Sequence, residues 1–167
     1  MVRHTFQTNE KRHKPRKLSI MKKITMMLAL VLTIGTSFAF TGEEAINQQA
    51  LNAFKKEFAG ATEAAWTVGS NFYKVTFSLN DQKLFAYYNT QGEFLAVTRN
   101  ISSLQLPLNL QTSLKRSYNN YWISDLFEVS NNDGTRYYVT LETADTKIIL
   151  KSADGTDWSV YQKSKKA

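Results

Sequence analysis

Tyr73-Lys74-Val75-Thr76-Phe77-Ser78-Leu79-Asn80-Asp81-Gln82-Lys83-Leu84-Phe85-Ala86-Tyr87-Tyr88 sets the period from which the rest of the chain is read. Tyr73, Val75, Phe77 and Leu79 alternate with Lys74, Thr76 and Ser78, the two-residue repeat of a strand. Asn80-Asp81-Gln82 reads as a tight turn and Lys83 to Tyr88 as the returning strand of an antiparallel hairpin. Upstream, Trp66 and Val68 continue the alternation. Downstream, Thr90-Gln91-Gly92 turns again and Phe94 to Thr98 forms a fourth strand. Before Gly60 the period changes. Ile46, Ala50, Phe54 and Phe58 recur every four residues with Ala53 beside them, which predicts a helix over 43–59. Thr41-Gly42-Glu43-Glu44 would open it as a capping box and Gly60 would end it.

The same order of elements then recurs. Pro107 suits the first turn of a helix running to about Tyr118, with Leu110, Leu114 and Tyr118 on its apolar face. Strands follow at Ile123–Val129, Arg136–Glu142, Lys147–Lys151 and Asp157–Tyr161, separated by Asn131-Asn132-Asp133-Gly134 and Ala153-Asp154-Gly155. Phe54 aligns with Leu114, Trp66 with Phe127, Tyr73-Lys74-Val75 with Tyr137-Tyr138-Val139, and Gly92 with Gly155, at offsets of 60 to 64 residues. A repeat of this period reads as a duplication. It predicts an α+β domain over 40–167, with repeats 40–104 and 105–167. Two helices should pack on one face of an antiparallel sheet of about eight strands.

Alternation sorts the strand residues into two faces. Trp66, Val68, Tyr73, Val75, Phe77, Leu84, Leu95 and Val97 should meet the helices. So should Phe127, Val129, Tyr137, Val139, Leu141, Ile148, Trp158 and Val160. The opposite face should be polar if it only meets water. Instead it carries Phe72, Phe85, Tyr87 and Phe94, then Tyr138, Ile149 and Tyr161, interleaved with Lys74, Lys83, Lys147 and Lys151. Ordinary β-propensity accounts for some of these rings. An exposed apolar patch of that size also marks a binding surface. Phe72, Lys74, Phe85, Tyr87, Phe94, Tyr138, Ile149 and Tyr161 are the candidate partner-binding residues.

These features resemble the PepSY-like family, which shares its fold with the β-lactamase inhibitor protein. The residues carrying the likeness are Ala53-Phe54-Lys55-Lys56-Glu57-Phe58-Ala59-Gly60-Ala61 with Trp66, Phe72-Tyr73-Lys74-Val75, Tyr88-Asn89-Thr90-Gln91-Gly92-Glu93, and Leu106-Pro107 before the second helix. The resemblance implies helices on one side of the sheet and a concave binding surface on the other. The inhibitor's disulfides and target-blocking loop residues have no counterparts here, so β-lactamase inhibition is not implied.

Charge is unevenly placed. The net +7 of the 167-residue chain lies wholly in residues 1–39, which hold eight Lys/Arg and one acid, Glu10. Residues 40–167 hold 13 Lys/Arg and 13 Asp/Glu. Met21-Lys22-Lys23, the apolar run Ile24 to Thr36 and the small residues Ser37 and Ala39 form the three parts of a secretory signal peptide, cut after Ala39. Residues 1–20 read as a segment upstream of a working start at Met21, or as an extended basic n-region. The protein is thus expected in the periplasm or outside the cell, with no membrane attachment after cleavage and no nucleic-acid partner.

No cysteine occurs and both histidines, His4 and His13, precede residue 39. A disulfide framework, a thiol nucleophile, a His-based triad and a zinc site of the usual ligands are excluded for the exported part. No cofactor is expected. Glu43/Glu44 and Asp154/Asp157 are the carboxylate pairs left to an enzyme, and both sit where helix starts and turns use acids anyway. The expected function is a non-enzymatic exported module that captures a protein or peptide on its open sheet face. Burial of that face in a homodimer and a small carboxylate hydrolase are the alternatives.

Overall fold

The computed structural model describes the backbone of residues 39–40 and the whole of residues 46–166. The signal-peptide segment, the basic tail and the capping box at Thr41–Glu44 lie outside the described residues. The strands form one antiparallel meander in chain order. They are β1 (Ala39–Phe40), β2 (Thr62–Val68), β3 (Phe72–Leu79), β4 (Gln82–Asn89), β5 (Phe94–Asn100), β6 (Trp122–Asn131), β7 (Gly134–Glu142), β8 (Thr146–Ser152) and β9 (Ser159–Lys165). Helices α1 (Gln48–Glu57) and α2 (Leu108–Ser117) precede the two four-strand sets.

Helix α1 starts later than its sequence suggests. Asn47 is its cap, with extended ψ of 130° and a side chain accepting from the Gln49 amide at 2.7 Å. That bond satisfies one of the amides a helix start leaves open. The β3–β4 hairpin closes through Asn80 and Asp81 at φ 50° and 60°, the left-handed pair that matches strand twist.

Each helix packs on its own half of the sheet. Phe54 meets Trp66 edge-on at 5.5 Å and Phe77 at 5.0 Å, within a core that includes Ala50, Val75, Ala86 and Tyr88. Leu110 and Leu114 bury against Leu126, Val139, Leu141, Ile148 and Leu150. Each β-turn after the third strand of a set also abuts the helix start. Asn47 donates from Nδ2 to the Thr90 carbonyl at 3.1 Å, and a Cβ on Gly92 would lie 2.6 Å from the Ala50 amide. In the second half Gly155 lies against Pro107.

The two cores meet at β5–β6, where the contact is ionic. Arg99 spans to Glu128 with Nε–Oε1 and Nη2–Oε2 distances of 3.2 and 3.1 Å, and its Nη1 donates to Gln82 at 2.7 Å. Register fixes the correspondence of the halves. Trp66 pairs with Val75, and Leu126 pairs with Val139. The counterpart of Trp66 is therefore Leu126, one residue earlier than the sequence alignment gave.

Candidate functional site

Parity places Lys74, Phe85, Tyr87, Ala96, Thr98, Phe127, Val129, Arg136, Tyr138, Thr140, Ile149 and Lys151 on the sheet face away from the helices. Lys74 stands opposite Tyr87 across β3–β4, and Phe72 joins them, its ring 6.1 Å from that of Tyr87. Tyr138 stands opposite both Phe127 and Lys151, stacked on Phe127 at 5.3 Å and edge-on to Tyr161 at 6.1 Å. Of the candidate residues, seven thus share one face.

Phe94 is the exception. A bulge lets Tyr87 pair with Ala96 and Tyr88 with Phe94, so Leu95 is the extra residue. Parity reverses there, and Phe94 packs with Tyr88 and Phe58 in the first core. Phe127 and Val129, expected against the helices, lie on the open face because the true register is one residue off. Val160 is paired with buried Leu150 but is itself 59 % exposed, since β9 is an outer strand beyond the reach of α2. Trp158 is half-buried, its Nε1 donating to the Leu110 carbonyl at 3.1 Å.

The face has two levels. Phe72, Tyr87, Phe127, Tyr138, Thr140 and Ile149 are buried, as are Ala96 and Thr98 in the middle. These residues form a floor, where sequence parity alone suggested projecting rings. Above it stand half-buried Lys74, Phe85, Arg136 and Lys151 and exposed Lys83 and Tyr161. The Lys74 ammonium sits 4.7 Å over the Phe85 ring and that of Lys151 5.9 Å over Tyr138, the geometry of cation–π contacts. An open hollow of about 290 Å³ lies at the Phe85 end, lined by Gln82, Lys83, Phe85, Arg99, Asn100 and Gln105.

Charge on the upper level is positive. Burial, then the neighbouring Lys83, holds Lys74 below the usual lysine range; burial, then Arg136, does the same to Lys151. Burial raises the Tyr87 phenol, offset by its hydrogen bond with Thr98, and pushes Tyr138 up to about 12. The acids nearby are engaged. Asp133 pairs with Arg136 at 3.9 Å, and Glu142 pairs with Lys147 at 3.9 Å and with Lys166. Asp125 is raised by burial and faces Lys147. Among the described residues no carboxylate lies within ion-pair distance of Lys74, Lys83 or Lys151.

Of the carboxylates weighed for hydrolysis, Asp154 is engaged within its own turn. Asp154 accepts from the Thr156 amide at 3.0 Å and its hydroxyl at 2.7 Å, bonds that hold its carboxyl low and serve the turn. Glu43 and Glu44 lie outside the described residues. Among the described residues no three His, Cys, Asp or Glu side chains gather as metal ligands.

Arg136, Phe127, Val129, Ala96 and Thr98 escaped the sequence reading. Pairing Trp66 with Leu126 instead of Phe127 would have found the second and third.

No family model and no curated protein matches the chain. Solved structures do share its fold. A BLIP-like protein from Bacteroides fragilis aligns with a TM-score of 0.62 at 21% identity, over 72% of this chain and 86% of that one. A DUF2874 family protein from Bacteroides ovatus aligns at 0.63 and 16%, over 72% and 88%. A protein assigned provisionally to the periplasm, from Bacteroides eggerthii, aligns at 0.61 and 13%, over 72% and 88%. The fold is BLIP-like: two helices on one face of an open antiparallel sheet.

Proposed function

We propose that this protein is an exported, non-enzymatic binding module of PepSY-like type that holds a protein or peptide on the sheet face away from its helices. The observation that carries the reading is the two-level face. An aromatic floor underlies a layer of lysines, Phe85 and Tyr161, and nothing in the helix-side packing requires either. Fold alone does not assign function, but an aromatic floor with a polar rim is how protein interfaces are built. Export is supported by the tripartite segment before Phe40 and by the likeness to the Bacteroides eggerthii protein. Among the described residues no helix is long and apolar enough to cross a membrane.

The test is amide chemical-shift mapping with short peptides of varied composition. Shifts clustered on β3–β8 at open-face residues, and lost in Phe85→Ala with the fold intact, support the reading. Shifts confined to the helix side, or none with any peptide, overturn it.

A further inference from the structure

We propose, resting on the reading just given, that the occupant of the open face is an acidic polypeptide segment with carboxylates at both ends and a small apolar middle. The cations fall into two groups. Lys74 and Lys83 lie on β3 and β4, and Arg136 and Lys151 on β7 and β8. Between them β5 and β6 present Ala96, Thr98 and Val129, small and uncharged, beside the buried Phe127 ring, with Asp125 further along β6 opposite Thr140. Lys74 and Lys151 are five strands apart, on the order of 24 Å at the usual strand spacing. An extended segment of about seven residues crosses that distance.

Three observations favour carboxylates there. Lys74, Lys83 and Lys151 have no acidic partner among the described residues. The lysines Lys74 and Lys151 are half-buried, and a partly desolvated cation is stabilised by an arriving anion. The region 40–167 has equal numbers of acids and bases, but the acids on this face, Asp125 and Glu142, sit together beside Lys147 and Lys166 and leave Lys74, Lys83 and Lys151 unneutralised. Glu57, Glu93, Asp145, Asp154 and Asp157 lie on helix α1 or in turns. Nucleic acid would need a continuous track of cations along its backbone, and the neutral middle interrupts one. The chain's own first 39 residues carry eight cations and one acid, the wrong sign for this face.

The experiment titrates the purified full-length chain with three synthetic peptides of equal length, read by fluorescence anisotropy. One has Glu pairs at both ends around an Ala-Val-Thr middle, one has Lys pairs there, and one has Gln pairs. The Glu peptide should bind at least tenfold more tightly than the Gln peptide, and the Lys peptide should not bind. Lys74→Glu and Lys151→Glu should each weaken the Glu peptide about tenfold while the thermal transition stays within a few degrees. Moving from low to physiological salt should weaken it several-fold. If the Gln and Glu peptides bind alike and Phe85→Ala abolishes both, the face binds peptide but the acidic assignment fails. If no peptide binds, both readings fail. Glu-peptide binding that survives Lys74→Glu combined with Lys151→Glu is binding to the basic leader and overturns the proposal. Tighter capture of a single-stranded oligonucleotide of matched charge, lost in the same variants, replaces polypeptide with nucleic acid and also overturns it.

Discussion

Lys74 and Tyr87 face each other across β3–β4, and 64 residues later Tyr138 and Lys151 face each other across β7–β8 with the roles exchanged. Each half of the molecule holds one lysine and one tyrosine at equivalent places, in opposite order. Cross-strand neighbours on one face couple energetically. Tyr138→Lys alone should destabilise by about 3 kcal/mol through a buried cation and a lost ring. Adding Lys151→Tyr recreates the order of the first half and should recover about 1 kcal/mol or more. A double-mutant cycle by urea melting checks this. Strict additivity would show that the two halves do not use equivalent packing here.

Aromatic residues on the two faces should respond differently to truncation. Phe54→Ala removes a ring that touches both Trp66 and Phe77 and should cost about 3–5 kcal/mol. Tyr87→Ala takes away part of the buried floor and should cost about 3 kcal/mol, well above what parity alone implied. Phe85→Ala, half-buried beneath Lys74, should cost about 1 kcal/mol. Chemical denaturation of the three variants ranks them, and Phe85→Ala as damaging as Phe54→Ala would place that ring in the core.

The Tyr88 hydroxyl is buried with no hydrogen-bond partner among the described residues. Leaving such a group unpaired costs about 1–3 kcal/mol. Tyr88→Phe keeps the ring contacts with Trp66 and Phe94 and should raise stability by about 1 kcal/mol. A lower melting temperature would point to an unseen partner for the oxygen.

Arg99 and Glu128 are partly exposed, at 29% and 18% of their side chains, so screening discounts their ion pair. Arg99→Ala should still cost about 1–2 kcal/mol, because it leaves Glu128 without its two-pronged partner. Arg99→Met combined with Glu128→Leu should recover most of that loss. Equilibrium unfolding of the single and double variants decides the point.

Alkaline titration gives a pH test. Tyr138 ionises at about 12 in the folded chain, above its ordinary value of 10.0. Its neutral form is favoured by folding, so its contribution is complete below pH 10 and is lost as pH rises through 12. Tyrosinate absorbance should therefore show a late-titrating class, reduced by one in Tyr138→Phe. Uniform titration near the ordinary value would mean the ring is reached by water.

The sequence made the order of helices and strands and the single antiparallel sheet legible because helix periodicity, alternation and turn residues all act locally. Ala50, Phe54, Val75 and Phe77 could be placed on the helix side from spacing alone. Both errors are one-residue shifts of parity. A bulge inserts a residue without altering composition, so Leu95 shifted Phe94 into the core unannounced. The second error, at Phe127, came from sliding an alignment by one, which turns every side chain over. The lysines were visible as interleaved residues. That they form an upper layer over buried rings depends on side-chain packing, which alternation does not encode.

The β5–β6 seam is a head-to-tail joint, since β6 repeats β2 and β5 is repeated by β9. Nothing in such a joint limits it to two units, and contacts of this kind grow into filaments when left open. At the outer edges the joint's counterparts differ. Lys163 stands where Arg99 would, but Val68 stands where Glu128 would, so the cation has no carboxylate to meet. Ala39 and Phe40 already occupy Val68 and Thr67, and every residue of β9 is exposed to solvent, with Lys163 and Lys165 along it. Charged edge strands and covered edges oppose further pairing. The molecule thus carries a polymerising geometry inside itself and terminates it at both ends.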